Sequence, residues 1–116
     1  MNSPGIVAVI EDPFIRKLLR DILTRHGYRV VEYSAQRAVE HLRAGSEHVN
    51  LVITNAPAEL LPVAQEVPLL YLAAAPDPDL AACFPACRCV RKPFQSEHLL
   101  SAVRELTEQP ASHTDV

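Results

Sequence analysis

Long apolar runs are missing from this sequence, and so is any excess of basic residues. No segment approaches the ~20 apolar residues of a membrane-spanning helix, and no basic stretch precedes an apolar one as in a secretory signal peptide. The 11 Lys and Arg against 14 Asp and Glu give a net charge of -3, which provides no broad positive field for nucleic-acid phosphates. We therefore expect a cytoplasmic protein that binds neither membranes nor nucleic acid directly.

Cysteine is also scarce, and its positions argue against a disulfide framework. Cys83, Cys87 and Cys89 are an odd number in a chain without a secretory signal, which indicates reduced thiols. Their C-x3-C-x-C spacing is compatible with a metal site, but tetrahedral zinc takes four ligands and no histidine lies close to them in sequence. We expect small buried side chains here, with a redox or metal sensor as the alternative.

The sequence does contain a regular alternation of two kinds of segment. Its 116 residues, 48% hydrophobic and 22% charged, suit one globular domain. Short apolar segments predict strands at 6–10, 28–33, 50–54, 68–74 and 87–92. Segments of helical periodicity follow at 13–26, 35–44 and 96–108, with at most two turns within 56–67 and a brief helix after Pro78. Five strands alternating with five helical segments predict an open, doubly wound α/β sheet.

Local signals mark where several of these helices begin or break. Asp12 is the predicted N-cap of the first helix, with Pro13 at its first position. Ser96 is the predicted cap of the closing helix, and the first helix is predicted from the helical spacing of Ile15, Leu18, Leu19 and Ile22. Pro62 removes a hydrogen bond in the middle of 56–67, so the third helix must be much reduced.

Polar and small residues of interest lie where the predicted strands end. In an open α/β sheet, ligands bind in a crevice beyond the carboxyl ends of the strands. Glu11 and Asp12 follow the first strand, Asn55 the third, Ala73 the fourth and Lys92 the fifth. We expect these positions to form the functional site of the chain, whatever its chemistry.

The order of the motifs resembles that of the receiver domain of two-component response regulators. The resemblance spans residues 5–108 and depends on "VIEDPFIRKLL", "HGYRVVEYSA", "NLVIT" and "RKPFQSEHLLSAVREL". The Lys-Pro-Phe step in the last of these is the most specific. The resemblance implies a flavodoxin-like, five-stranded parallel sheet of order 2-1-3-4-5 with helices on both faces.

The resemblance also implies a chemistry whose residues this chain has mostly lost. In receiver domains an Asp at the end of the third strand accepts a phosphoryl group, a Thr or Ser ends the fourth strand, and a Lys ends the fifth. Asn55 occupies the acceptor position and Ala73 the hydroxyl position, while Cys89 replaces the aromatic residue of the fifth strand. Only Lys92 is retained, so the resemblance implies an inert phosphoacceptor site.

The acidic residues that would hold Mg²⁺ in the family are depleted as well. An ungapped comparison places Ile10 and Glu11 at the two metal positions, whereas a one-residue deletion would restore Glu11 and Asp12. The ungapped reading is favoured because Asp12 is then free to cap the helix. We expect no cofactor, or weak Mg²⁺ binding at Glu11 and Asp12.

Structural alternatives exist for the same residues. Glu11 and Asp12 can serve only as a solvated loop and a helix cap, and Lys92 can pair with either across the crevice. Asn55 can hold the following turn through its side-chain amide.

The functional expectation is therefore a degenerate receiver, a pseudo-receiver. It would have no catalytic activity and would act in two-component signalling as a phosphorylation-independent protein-interaction module. Its partner would be another protein, a fused signalling domain, or a second copy bound through the helix after Pro78, the fifth strand and the closing helix. Phosphoryl acceptance at Glu11 or Asp12 is the alternative. Residues 1–108 would form the domain, and 109–116 a flexible tail or linker stub.

Overall fold

Five parallel strands form one sheet in the order β2-β1-β3-β4-β5, which confirms the predicted doubly wound fold. The computed structural model describes residues 5–45 and 48–108, so the predicted tail at 109–116 lies outside the described residues. The strands are β1 (Ile6–Ile10), β2 (Arg29–Glu32), β3 (Leu51–Thr54), β4 (Leu69–Ala73) and β5 (Cys87–Arg91). The helices are α1 (Pro13–Arg25), α2 (Ala35–Ala44), a 3-10 helix (Pro57–Val63), α3 (Pro78–Ala81) and α4 (Ser96–Glu108).

Two hydrophobic cores lie on opposite faces of this sheet. Leucines and isoleucines of α1 and α4 pack on one face against β1, β3 and β4. Smaller side chains of α2 pack with the 3-10 helix and Phe84 on the other face. The central strand β3 is buried along its whole length, as its apolar sequence predicted, because helices cover both faces. Within the described part of the chain, no helix is both long and apolar enough to cross a membrane.

Helix α1 begins as the sequence predicted. Asp12 Oδ1 accepts hydrogen bonds from the backbone N–H groups of Phe14 and Ile15, both at 3.1 Å, and Pro13 is the first helical residue. Leu18, whose spacing helped to predict this helix, is 39% exposed and lies outside the core face. Asp12, which lies next to the crevice, therefore fixes the start of α1.

Substitution of Asp12 measures the strength of this cap. We expect Asp12→Ala to lower the free energy of unfolding by about 1 kcal/mol, because two backbone N–H groups lose their acceptor. Asp12→Asn keeps a side-chain oxygen and should stay close to the wild type in urea denaturation. Equal losses in the two variants would contradict the assignment of Asp12 as a cap.

The connection between β3 and β4 is short, as the two prolines predicted. It forms a 3-10 helix of seven residues that includes Pro62, and α3 is a single turn of four residues. The closing helix differs in detail from the prediction, because Ser96 is its first residue and not its cap. The N–H of Leu99 bonds to the carbonyl of Gln95 at 3.0 Å, which places Gln95 at the position before the helix.

Gly5 has a backbone conformation and a close contact that exclude a larger residue. Its φ is +127°, and an added Cβ would lie 2.7 Å from Oδ1 of Asn50. That oxygen accepts the N–H of Ile6 at 2.8 Å, so it cannot move without loss of the bond. Gly45, with φ +65°, has nothing within 4 Å of the added atom.

The two glycines make a matched pair of substitutions. We expect Gly45→Ala to cost about 1 kcal/mol of stability through backbone strain alone, and Gly5→Ala to cost about 3 kcal/mol through strain plus the contact with Asn50. Thermal or urea unfolding of both variants tests the difference. A smaller loss for Gly5→Ala than for Gly45→Ala would contradict it.

Candidate functional site

The carboxyl ends of β1, β3, β4 and β5 meet at one edge of the sheet. The register pairs Ile10 with Thr54 and Thr54 with Tyr71, while Ala73 pairs with Arg91. The residues that follow these positions therefore share the crevice at this edge. They are the positions singled out from the sequence: Glu11, Asp12, Asn55, Ala73 and Lys92.

Glu11 and Lys92 are joined by an ion pair across this crevice. Lys92 Nζ lies 3.2 Å from Glu11 Oε1, and the side chain of Glu11 is fully buried while that of Lys92 is 23% exposed. The N–H of Asp12 donates to the same Oε1, and the N–H of Lys92 donates to the carbonyl of Ala73 at 3.0 Å. The predicted pairing of Lys92 is present. The alternative interpretation of Glu11 as part of a solvated loop is wrong, because this residue follows β1 directly and its side chain lies in the protein interior.

The second oxygen of Glu11 has no partner of its own. Oε2 is buried and makes no hydrogen bond within the described residues. Burial raises the pKa of Glu11 above its usual value near 4.5, although the hydrogen bond and the charge of Lys92 lower it in part. A carboxyl with a raised pKa stabilises the folded chain when protonated, and that contribution is lost as the pH rises through the raised pKa.

The ligand set at this edge suits Mg²⁺ poorly. Mg²⁺ takes near-octahedral oxygen ligands, and Oδ1 of Asp12 already accepts two backbone N–H groups at the start of α1. Glu11 offers one uncommitted oxygen, next to the positive charge of Lys92. Asn55 contributes an uncharged amide. We therefore expect Mg²⁺ to bind weakly or not at all.

Thr54 holds the turn after β3, a role that was not predicted from the sequence. Its side chain is fully buried, and Oγ1 accepts the N–H of Ala56 at 3.1 Å. The expectation that Asn55 would hold this turn is wrong, because Asn55 is exposed and its neighbour makes the bond. A hydroxyl as the last residue of a buried strand is the signal that could have identified Thr54.

Ala73 and Cys89 occupy the positions at which the resemblance to receiver domains predicts a hydroxyl and an aromatic side chain. Ala73 is half-buried and presents a methyl group, and Cys89 is exposed on the edge strand. Tyr71 is the buried aromatic beside it, and its hydroxyl accepts the N–H of Asp77 at 3.1 Å. This bond holds the loop between β4 and α3.

The cysteines are more accessible than predicted. Cys83 and Cys89 are exposed and Cys87 is half-buried, so the expectation of small buried side chains is wrong for two of the three. Burial and the neighbouring Cys89 raise the pKa of Cys87 to about 12, which disfavours its reactive thiolate and hence a peroxide sensor. Among the described residues, no three or more His, Cys, Asp or Glu side chains are grouped as metal ligands.

An apolar hollow lies beside the ion pair and was also missed from the sequence. It has a volume of about 470 Å³ and is lined by Phe14, Leu18, Phe94 and the stem of Lys92, among others. Phe14 is 77% exposed. Phe14 and Leu18 are four residues apart and offset from the core positions of α1, which is the signal that could have revealed this second apolar stripe.

Neither a protein-family model nor a curated protein matches this sequence. Its structure, however, is similar to solved receiver domains. One is the signal receiver domain of an HD domain-containing protein from Pseudomonas fluorescens, with a TM-score of 0.76 and 24% identity over 94% of this chain and 90% of that one. A response regulator receiver protein from Burkholderia phymatum has a TM-score of 0.72 and 22% identity over 95% and 99% of the two chains.

A chemotaxis response regulator of Vibrio cholerae is similar as well, with a TM-score of 0.70 and 21% identity over 87% of this chain and 96% of that one. At these identities the similarity establishes a shared fold. The chain therefore has the fold of response regulator receiver domains across almost its whole described length.

Proposed function

We propose that this chain is a receiver-like signalling domain that accepts no phosphoryl group and acts as a protein-interaction module. One observation carries the proposal. Asn55 stands at the end of β3, at the crevice edge where Glu11 and Lys92 are already paired with each other. The fold shared with receiver domains supplies the signalling context.

The chemistry of the acceptor position supports the loss of phosphorylation. An amide oxygen is uncharged and too weak a nucleophile to displace the leaving group of a phosphodonor, whereas a carboxylate forms an acyl phosphate. Ala73 offers no hydroxyl for a phosphoryl oxygen, and the ammonium of Lys92 is bound to Glu11. Electrostatic stabilisation of the transferred group would thus be weakened together with the nucleophile.

Phosphoryl acceptance by Glu11 or Asp12 is the second candidate, and the geometry favours it less. The side chain of Glu11 is fully buried and paired with Lys92, so its oxygens are closed to a phosphodonor in solution. Asp12 is exposed, but its Oδ1 accepts two backbone hydrogen bonds at the start of α1. In-line attack would require either carboxylate to leave its present contacts.

Intact-mass measurement after incubation with acetyl phosphate and Mg²⁺ tests the loss of phosphorylation. We expect the mass of the chain to remain unchanged. Mass gain by one phosphoryl group would overturn the proposal, and fragment mapping would then tell Glu11 or Asp12 apart from any other residue. Hydroxylamine treatment of a labelled sample would identify an acyl phosphate.

The interaction surface we propose consists of α3, β5 and α4. Strand β5 is an edge strand, and α3 covers its neighbourhood with only one turn. Arg91 is exposed on this surface, and Arg88 pairs with Glu105 of α4. The hollow between β5 and α4 has a volume of about 530 Å³ and includes Arg88, Arg91 and His98 in its lining. A partner with acidic side chains would complement this surface.

A homodimer formed through this surface can be tested with the chain alone. Sedimentation velocity over a range of concentrations should then show a dimer that Arg91→Glu weakens and acetyl phosphate leaves unchanged. Arg43→Glu, at an exposed position of α2 outside the proposed surface, is the matched control. A monomer at every concentration would exclude the homodimer.

A further inference from the structure

Cys87 and Cys89 form a pair of thiols that the proposed function does not use. Residues two apart on a strand project to the same side of the sheet. Cys87 packs against the core formed by α2 and the 3-10 helix, and the strand neighbours of the two cysteines, Leu69 and Tyr71, belong to that core. Both thiols therefore lie on this side of β5.

The short α3 helix leaves this pair accessible. α3 has only four residues, so Cys87 is half-buried while Cys89 is exposed. The edge position of β5 leaves no further strand beyond it in the described residues. The proximity of Cys89 also contributes to the raised pKa of Cys87, after burial.

The spacing on the strand favours a bridging atom over a direct sulfur–sulfur bond. Two residues of a parallel strand span about 6.6 Å between Cα atoms. This is close to the upper limit of about 6.8 Å for a disulfide, so oxidation to an unstrained intrastrand disulfide is disfavoured. An ion bound between the two sulfurs adds a second bond length and accommodates the wider separation.

We propose that Cys87 and Cys89 bind one soft monovalent cation, Cu(I), as a two-coordinate dithiolate site. Thiolates are preferred ligands of Cu(I), zinc and iron–sulfur clusters, and of these only Cu(I) is satisfied by two ligands, whereas structural zinc and the clusters take four. Binding forms two copper–sulfur bonds and releases the two thiol protons to solvent. Copper enters as Cu(I) and remains Cu(I), so no electron is transferred. The site lies on β5, which is part of the proposed interaction surface, but binding of Cu(I) by the two thiols does not require a protein partner.

Cys83 provides a matched control within the same chain. It is exposed like Cys89, but it follows α3, and its thiol donates to the carbonyl of Asp79 at 3.5 Å. General thiol affinity for copper would involve Cys83 as much as the other two cysteines. A site made by the strand geometry would not require it.

Competition with a chromophoric Cu(I) chelator, under anaerobic conditions and without added thiols, tests the site. The reduced wild-type chain should withdraw one equivalent of Cu(I) from the chelator, and Cys83→Ser should withdraw the same amount. Cys89→Ser and the double variant Cys87→Ser/Cys89→Ser should lose this equivalent. Far-UV circular dichroism of each variant shows that the fold is intact, and the exposed Cys89 makes its single variant the safest one.

Two results would overturn the inference. The first is a wild-type chain that withdraws no Cu(I) beyond the double variant. The second is a loss of binding in Cys83→Ser equal to that in Cys89→Ser, which would indicate general thiol affinity. All cysteine variants should, like the wild type, gain no mass with acetyl phosphate. Copper binding and the proposed loss of phosphorylation are therefore tested by separate measurements.

Discussion

We expect replacement of Lys92 by methionine to lower the free energy of unfolding by about 3 kcal/mol at neutral pH, because Lys92 is the ion-pair partner of the buried Glu11. The change leaves the carboxylate of Glu11 buried without a counter-charge, and removal of one partner of a buried pair is strongly destabilising. Methionine retains most of the apolar stem that lines the hollow beside Phe14. The loss of stability should therefore measure the effect of the missing charge and not a change in packing.

The effect of Lys92→Met should depend on pH in a defined direction. Lys92 lowers the pKa of Glu11 against the raising effect of burial, so its removal raises that pKa further. The penalty is present where Glu11 would ionise in the unfolded chain, above about pH 4.5, and it disappears below that value. Urea denaturation at pH 4 and pH 7.5 should show a small difference from the wild type at the lower pH and a large one at the higher.

A double-mutant cycle completes this test. Glu11→Gln removes the buried charge and leaves Lys92, which is partly exposed and can reach water. We expect Glu11→Gln to be milder than Lys92→Met, and the double variant to be more stable than Lys92→Met alone. Equal losses at both pH values, or a double variant as unstable as the sum of the single ones, would contradict a stabilising ion pair.

We expect substitution of Asn55 by aspartate to convert the crevice, which we propose to be inert, into one that accepts a phosphoryl group. The change restores a carboxylate at the end of β3, at the edge that holds Glu11 and Lys92. A carboxylate supplies the missing nucleophile, and together with Glu11 it offers Mg²⁺ a second charged oxygen ligand. Acetyl phosphate with Mg²⁺ should then add one phosphoryl group to a measurable fraction of Asn55→Asp and to none of the wild type.

Neutral and charged controls make this prediction specific. Asn55→Gln keeps an amide and should remain unlabelled, and Asn55→Asp combined with Lys92→Met should be labelled less because the product loses its positive neighbour. Intact mass with fragment mapping measures each variant. Labelling of Asn55→Gln equal to that of Asn55→Asp would contradict the assignment of this position as the lost acceptor.

The fold could be predicted from the sequence because local signals agreed with one another. Asp12 and Pro13 at the start of α1, and the continuous apolar residues of β3, each match the structure. Pro62 correctly indicated a shortened connection. Where several weak preferences point to the same architecture, their sum determines it.

The details of the candidate site depended on tertiary contacts that periodicity does not contain. Glu11 is buried because β1 pairs in register with its neighbouring strands. Without these strands, a residue just before the start of a helix would be exposed to solvent. Thr54 holds the turn expected of Asn55, because its hydroxyl oxygen accepts the N–H of Ala56 at 3.1 Å. The exposed thiols follow from the single turn of α3, whose length the sequence did not specify.

The proposed function requires that the wild-type crevice receives no phosphoryl group. Titration of the wild-type chain with beryllofluoride and Mg²⁺, followed by ¹H–¹⁵N NMR, tests this claim without requiring covalent chemistry. We predict that the backbone amides of Thr54, Asn55 and Lys92 keep their chemical shifts throughout. Saturable shifts of these three amides would show that the crevice binds a phosphoryl mimic and would contradict the proposed loss of phosphorylation.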